Sequence, residues 1–192
     1  MQDNKKLAIV CADLAGSCGI NGAVGKERYY EVGVAEQDGA SFAAGLALGG
    51  GMLPVFNTYS NFMKRCFENI FINIAEGARM LYAGHYSGLC YHTDGKSHQS
   101  INDASVFQGM PDLVVVDPVS AAHAARCADY LTSDAFDKSA FVRLRRSACV
   151  ELGTCGSAPV HERAPVLAYA IVCCCVRFLS ICWFHAIPNC VD

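Results

Sequence analysis

Residues 29–56, YYEVGVAEQDGASFAAGLALGGGMLPVF, decide the fold. Residues 29–34 have the composition of a short strand, and residues 53–56 that of a second one. Between them, residues 35–48 form a predicted helix of mostly small side chains, and three glycines follow it as a stop signal. A strand, a helix and a second strand in this order indicate two parallel strands joined by a right-handed crossover.

The same alternation runs through the first 150 residues. Further strands are predicted at residues 7–11, 80–84, 113–116 and 140–144. An Ala-rich helix is predicted over residues 120–131 with Ser120 as its N-cap. The helix that follows residue 56 carries one apolar stripe, formed by Met63, Phe67, Ile70, Phe71 and Ile74. The sequence therefore predicts an α/β fold, a doubly wound and mostly parallel sheet with helices on both faces, in which ligands bind beyond the carboxyl ends of the strands.

Composition excludes several classes of protein. Apolar residues make up 53% of the 192 residues and charged residues 17%, which is enough apolar surface for a folded core. Fifteen basic against 18 acidic residues give a net charge of −3, so we expect neither a nucleic acid nor an anionic membrane surface as partner. The first residues, MQDNKKLAIVCADL, lack the long apolar region of a secretory signal. We therefore expect a cytoplasmic protein whose early cysteines are small core residues.

The composition changes near residue 150, and we predict one domain over residues 1–150 followed by an atypical tail over residues 151–192. Six of the twelve cysteines lie in this tail: Cys155, Cys173, Cys174, Cys175, Cys182 and Cys190. Residues 166–183 are almost all apolar but contain Arg177, whose insertion into a bilayer would cost about 2.5–3.5 kcal/mol. A membrane anchor is the less favoured interpretation. The alternatives are a tail that packs loosely on the domain and an ending that is not part of the fold.

Three strings of residues carry candidate chemistry. Glu36 lies where a strand turns into a helix, near the positive end of the helix dipole, and taken alone it suits an ordinary first-turn residue. Tyr59 and Phe62 lie three residues apart on one helix face, which is also the spacing of ordinary core residues. The polar loop over residues 84–100 contains three histidines and an aspartate, which suit either a metal site or a polar surface loop.

Taken together and in order, these strings resemble one family. EVGVAEQDGASFAAGLAL, PVFNTYSNFMKR, GHYSGLCYHTDGKSHQSI and GMPDLVVVDPVSA are similar to the pyrimidine-binding domain of the transketolase family over residues 7–150. This family of thiamine-diphosphate enzymes includes 1-deoxyxylulose-5-phosphate synthase and the E1 β-subunits of 2-oxoacid dehydrogenases. The resemblance implies a thiamine-diphosphate-binding fold and transfer of a two-carbon ketol unit between sugar phosphates.

The resemblance also implies roles for the cofactor-binding residues. Glu36 matches the catalytic glutamate that hydrogen-bonds the aminopyrimidine ring nitrogen of thiamine diphosphate. Tyr59 and Phe62 match the aromatic residues that stack on the pyrimidine. Arg65 resembles the position that deoxyxylulose phosphate synthases use for the substrate phosphate.

Substrate-binding residues follow from the same resemblance. Asp94 and the catalytic His98 match the pair that contacts the hydroxyl groups and carbonyl oxygen of the sugar substrate. His85 falls near an upstream active-site histidine of transketolases, with one extra residue before Asp94. Either Arg143 or Arg146 would bind the substrate phosphate, since a forked guanidinium suits a phosphate monoester. No residue of this chain is expected to bind a metal.

One signature of the family is missing. The sequence contains no Gly-Asp-Gly followed at a distance by Asn, the pattern that holds Mg2+ and the diphosphate of the cofactor. We therefore expect a diphosphate-binding subunit or domain as partner, in a homo- or heterodimer, or else a truncated product of a longer gene. Two alternatives to the transketolase interpretation stay open: a fragment of the 1-deoxyxylulose-5-phosphate synthase type, and a catalytically incomplete chain that binds a homologous partner.

Overall fold

A computed structural model describes residues 5–89 and 93–146 of the chain. Its centre is a six-stranded sheet in which every paired strand is parallel, in the order β2-β1-β3-β4-β6-β5. The strands are β1 (Leu7–Cys11), β2 (Tyr29–Glu31), β3 (Leu53–Tyr59), β4 (Leu81–His85), β5 (Leu113–Val116) and β6 (Ser139–Leu144). All of their carboxyl ends lie at one edge of the sheet.

Helices cover both faces of the sheet. They are α1 (Glu36–Gly50), α2 (Ser60–Met63), α3 (Phe67–Ala75), α4 (Asp103–Gln108) and α5 (Ala121–Leu131). Residues of α1 to α4 join the larger apolar cluster around Phe56, Tyr82 and Phe141, whereas α5 packs on the opposite face. The prediction of a doubly wound parallel sheet is confirmed.

The small residues of α1 let this helix approach the sheet closely. Ala40, Ala43 and Ala44 are buried in the larger cluster. A Cβ added at Gly39 would lie 2.7 Å from the ring of Phe56, so only glycine fits there. The helix continues two residues past its predicted end at residue 48 and stops at Gly50, because Gly51 takes the left-handed conformation, with φ at 59°.

The helix after β3 differs from the predicted continuous one. A 3-10 turn, Lys64–Cys66, separates α2 from α3. Met63 and Ile70 are fully buried, but Phe67 and Phe71 are 43% and 49% exposed. Phe67, Ile70 and Phe71 all belong to α3, so the predicted stripe is buried on the side of Ile70 and partly exposed on the side of Phe67 and Phe71. The structure also contains α4, whose six residues are too few to give a clear periodic signal.

No helix within residues 5–89 and 93–146 has the length and apolar content to cross a membrane. The apolar residues 166–183, for which a membrane span was the less favoured interpretation, lie outside the described residues, as does the whole predicted tail.

Candidate active site

Four of the candidate residues lie at the carboxyl edge of the sheet. Glu36 is the first residue of α1 and follows β2, while Tyr59 ends β3 and His85 ends β4. Arg146 comes two residues after the end of β6. This is the edge at which parallel α/β sheets bind their ligands, because the helix N-termini and the connecting loops meet there.

Glu36 is a buried carboxylate with one charged partner. Its side chain is 6% exposed, and its Oε1 accepts a hydrogen bond of 2.8 Å from Nη1 of Arg65. The Arg65 guanidinium carbon lies 4.7 Å from the ring centroid of Phe62. Oε2 of Glu36 accepts no hydrogen bond from the described residues. The acid is therefore linked to an aromatic face through one guanidinium, and its second oxygen remains available for a ligand.

Tyr59 lies at the centre of an aromatic cluster made of Tyr59, Phe62, Tyr86 and His98. Its ring stacks on Tyr86 at 4.1 Å and on Phe62 at 5.3 Å, measured between centroids. His98 meets Tyr59 and Phe62 edge-on, at 5.6 Å and 5.2 Å. Tyr86 adopts a left-handed backbone, with φ at 59°, which is uncommon for an aromatic residue and turns its ring back against Tyr59. The two predicted aromatics are thus part of a stacked cluster, in which Tyr59 lies between Phe62 and Tyr86 and is 4% exposed.

Asp94 and His98 lie in one loop, and His98 contacts the aromatic cluster. Nδ1 of His98 lies 2.9 Å from Oγ of Ser97, and Nδ2 of Asn61 donates to the Ser97 carbonyl oxygen, which fixes this part of the loop over α2. Asp94 is exposed, and no hydrogen bond or ion pair joins it to another described residue. The structure therefore brings His98, but not Asp94, into contact with Tyr59 and Phe62.

His85 lies beside Tyr59 in the register of β3 and β4, and it is held by a buried amide. Its Nε2 is 3.1 Å from Oδ1 of Asn57. Burial lowers the pKa of His85 to about 4, because the charged imidazolium loses its hydration there. The ring is therefore neutral at pH 7.

The two candidate phosphate-binding arginines have different surroundings. Arg143 is nearly buried, and its guanidinium donates to both carboxylate oxygens of Asp103, at 2.9 Å and 3.1 Å, and to Asp117. Arg145 donates to the same Asp117 oxygen at 2.8 Å, and burial raises the pKa of Asp117 despite the two arginines beside it. Arg146 is exposed, with its guanidinium carbon 4.9 Å from the ring centroid of Tyr86. Of the two candidates, only Arg146 thus borders the aromatic cluster with an exposed side chain.

Three residues near the site had not been predicted from the sequence. Tyr86 extends the aromatic cluster, Asn57 is hydrogen-bonded to His85, and Asp103 forms an ion pair with Arg143. Asn57 had a detectable signal, since it is a polar residue inside the apolar run LPVFNTY. In the part of the chain that the structure describes, no three His, Cys, Asp or Glu side chains cluster closely enough to hold a metal ion.

Comparison with known proteins identifies the family of the chain. Residues 1–150 match the family model of the transketolase pyrimidine-binding domain. The 1-deoxy-D-xylulose-5-phosphate synthase of Treponema pallidum is 29% identical over 167 residues, which is 86% of this chain and 26% of that protein. The synthase of Blochmanniella floridana is 36% identical over 124 residues, 63% of this chain and 20% of that protein. The chain thus spans about a quarter or less of the length of these relatives.

Solved structures share the fold. A split-gene transketolase, described as an inactive β4 tetramer, matches with a TM-score of 0.67 and 27% identity over 80% of this chain and 49% of that one. Transketolase from Campylobacter jejuni matches with a TM-score of 0.67 over 76% of this chain and 23% of that one, and its 18% identity supports the fold alone. The model match covers more than three quarters of the sequence, and the chain belongs to the transketolase pyrimidine-binding domain family, whose members depend on thiamine diphosphate.

Proposed function

We propose that this chain supplies the pyrimidine-binding half of a thiamine-diphosphate site in a transketolase-like transferase. One observation carries the proposal: the buried carboxylate of Glu36 is joined through Arg65 to the flat face of Phe62 at the carboxyl edge of the sheet. An aminopyrimidine hydrogen-bonds through the edge of its ring and stacks through its flat face. A carboxyl group and an aromatic ring can make these two contacts. The residues present therefore fit the cofactor.

Each residue of this half-site has a distinct task. Phe62, which is partly buried, would contact the pyrimidine, and Tyr59 would support it from the layer beneath, since an aromatic ring recognises a flat heterocycle with little polar desolvation. Glu36 would bind the ring nitrogen through Oε2, because Oε1 is already occupied by Arg65. When bound, thiamine diphosphate supplies the carbanion-stabilising chemistry that the side chains of a protein lack.

We assign the substrate to the loops around this half-site. His98 is the residue best supported as a hydrogen-bonding partner of a sugar hydroxyl, since it borders both Tyr59 and Phe62. Asp94 would join it when substrate is bound. Arg146 is preferred over Arg143 for the substrate phosphate, because Asp103 and Asp117 already occupy the Arg143 guanidinium. Arg65 would contribute to phosphate binding only with the part of its guanidinium that Glu36 does not use.

The proposed enzyme needs a partner. We infer that a second subunit or domain supplies the diphosphate and Mg2+ site, in a homo- or heterodimer. Support comes from the missing Gly-Asp-Gly pattern and from the small fraction of the synthases that the chain matches. We also propose a cytoplasmic location. The four described cysteines are free thiols, which is what a reducing compartment such as the cytosol maintains.

A second candidate is the 1-deoxyxylulose-5-phosphate synthase type. The relatives compared above carry that name, and the string Tyr59, Phe62 and Arg65 resembles those enzymes more than transketolases. A third candidate is a chain that binds a homologous partner without catalysing a reaction.

Binding of the cofactor separates these candidates. The chain is mixed with a diphosphate-domain partner, and thiamine diphosphate with Mg2+ is titrated by calorimetry. Glu36→Gln removes a charge-assisted hydrogen bond, and we expect it to weaken cofactor binding by about tenfold or more. The matched control is Asp38→Asn, which alters an exposed carboxylate in the same first helical turn and should leave the affinity unchanged. Equal affinity for wild type and Glu36→Gln would contradict the proposal, and a partner complex that ignores the cofactor would favour the non-catalytic candidate. Turnover with ketose phosphate or with pyruvate then distinguishes the two enzymatic candidates.

A further inference from the structure

Asn57 is a buried amide whose orientation is fixed by the backbone. It lies on β3, two residues before Tyr59, and is 3% exposed. Its Nδ2 donates to the carbonyl oxygen of Val55 at 2.8 Å and to that of Val10, on the neighbouring strand, at 3.3 Å. Both partners are carbonyl oxygens, which can only accept. An amide turned the other way would set Oδ1 against two oxygens, so the nitrogen must face them.

The fixed amide decides which nitrogen of His85 carries the proton. With Nδ2 used by the two carbonyls, Oδ1 of Asn57 is the atom that faces Nε2 of His85, at 3.1 Å. Oδ1 can only accept a hydrogen bond, and therefore Nε2 must donate one. In a neutral imidazole this leaves Nδ1 as the unprotonated acceptor.

Nδ1 of His85 has no partner in the structure as far as the chain is described. No hydrogen bond joins it to any residue within 5–89 or 93–146. His85 ends β4 at the carboxyl edge of the sheet and lies opposite Tyr59 in the strand register. A hydrogen-bond acceptor is therefore presented at the same edge as the aromatic cluster.

We propose that Asn57 is a positioning residue that holds His85 as its Nε2–H tautomer, so that Nδ1 accepts a hydrogen bond from a hydroxyl group of the substrate. The assignment of the hydroxyl rests on the proposed function, whereas the tautomer rests only on Asn57, Val10, Val55 and His85. A neutral acceptor attracts a hydroxyl donor and gives no charge to a phosphate. His85 therefore selects for the hydroxylated carbon chain of a sugar, and the recognition of phosphate is left to arginine.

The tautomer is measured by NMR of the full chain, with 15N-labelled histidine and His85→Gln to assign the signals. At pH 7 we expect His85 to show one protonated nitrogen, Nε2, and one unprotonated nitrogen, Nδ1. The Nε2–H proton should exchange slowly enough with water to give its own signal. His123 is an internal reference, because its Nδ1 accepts from the backbone N–H of Val119 at 3.3 Å and should be unprotonated as well.

Asn57→Ala tests whether the amide is the cause. The variant should lose the slowly exchanging Nε2–H signal of His85. The signals of its other histidines should match those of the wild type. Asn73→Ala is the matched control, since Asn73 is also a buried amide that donates to a backbone carbonyl, Ala40, but it belongs to α3. A protonated Nδ1 in the wild type, or a Nε2–H signal that survives in Asn57→Ala, would overturn the tautomer assignment. The wild-type measurement decides the first point even if the variant does not fold.

The substrate part is tested in the complex with a diphosphate-domain partner. Asn57→Ala should lower kcat/KM for a ketose phosphate about three- to tenfold, the effect of one weakened neutral hydrogen bond, and leave inhibition by inorganic phosphate unchanged. A loss of phosphate inhibition in this variant would show instead that His85 acts on the phosphate. Absence of turnover in the wild-type complex would refute the proposed function while leaving the NMR result intact.

Discussion

Arg143 is nearly buried and Arg146 is exposed, so the same substitution should destabilise the chain at Arg143 and leave its stability unchanged at Arg146. Arg143→Met keeps most of the side-chain volume but leaves Asp103 and Asp117 in the interior without this guanidinium. Removing one partner of a buried ion pair costs about 3–5 kcal/mol. The lower end applies here, because Arg145 still donates to Asp117 at 2.8 Å while both bonds from Arg143 to Asp103 are lost. About 3 kcal/mol corresponds to a fall in Tm of roughly 6–12 °C for a chain of this size.

Thermal and urea denaturation of the isolated chain measure this effect without a partner or cofactor. Arg146→Met is the matched control, and we expect it to change the free energy of unfolding by no more than about 0.5 kcal/mol, because Arg146 is exposed. Adding Asp103→Leu to Arg143→Met should recover part of the loss, since replacing both charges removes the stranded carboxylate. An Arg143→Met chain as stable as wild type would refute the argument from burial. In the active complex, only Arg146→Met should raise KM for a phosphorylated substrate while stability stays unchanged.

Three further predictions concern stability. Gly39→Ala should lower the free energy of unfolding in urea by up to about 2 kcal/mol, because overpacking against Phe56 exceeds the gain of about 1 kcal/mol in helix propensity. Gly45→Ala should raise the free energy of unfolding, because a Cβ added there meets no atom within 4 Å. His85 has a folded-state pKa of about 4, below its usual value near 6.5, so the unfolded chain takes up a proton first as the pH falls. The free energy of unfolding of the wild type should therefore fall between about pH 6.5 and pH 4, and that of His85→Gln should fall less over the same range. Ser120→Ala should cost about 1 kcal/mol in the same assay, because the N–H of His123 loses its acceptor at 3.1 Å.

The fold was predictable because its signals are local. Most strands of the sheet contain a short apolar run, such as LAIVC in β1 and LVVV in β5, and α5 carries its own start signal in Ser120. The positions of Glu36, Tyr59 and His85 at one edge follow from the parallel order of the strands alone. Two features of the helical segment after β3 could not be predicted: the 3-10 turn Lys64–Cys66 that interrupts it, and the partial exposure of Phe67 and Phe71, whose spacing suits a buried stripe.

The partners of the polar side chains were not predictable, because they are distant in the chain. Asp103 and Arg143 are 40 residues apart, and Asn57 and His85 are 28 apart. The register explains the first pair: Arg143 lies opposite Gly84, on the face of the sheet that α4 covers, and Asp103 is the first residue of α4. A motif that reads FVRLRRS cannot reveal which arginine points toward this face, since that depends on the strand's exact phase.

The departure of the helix from its predicted course also bears on the proposed site. Arg65 lies inside the 3-10 turn that separates α2 from α3, and from there it contacts both Glu36 and Phe62. A carboxylate that is 6% exposed needs a charged partner while no ligand is bound, and Arg65 supplies it. Because Arg65 is itself 55% exposed, it can provide this partner without closing the site from solvent. The irregular turn therefore places the guanidinium of Arg65 where it contacts both Glu36 and the ring of Phe62.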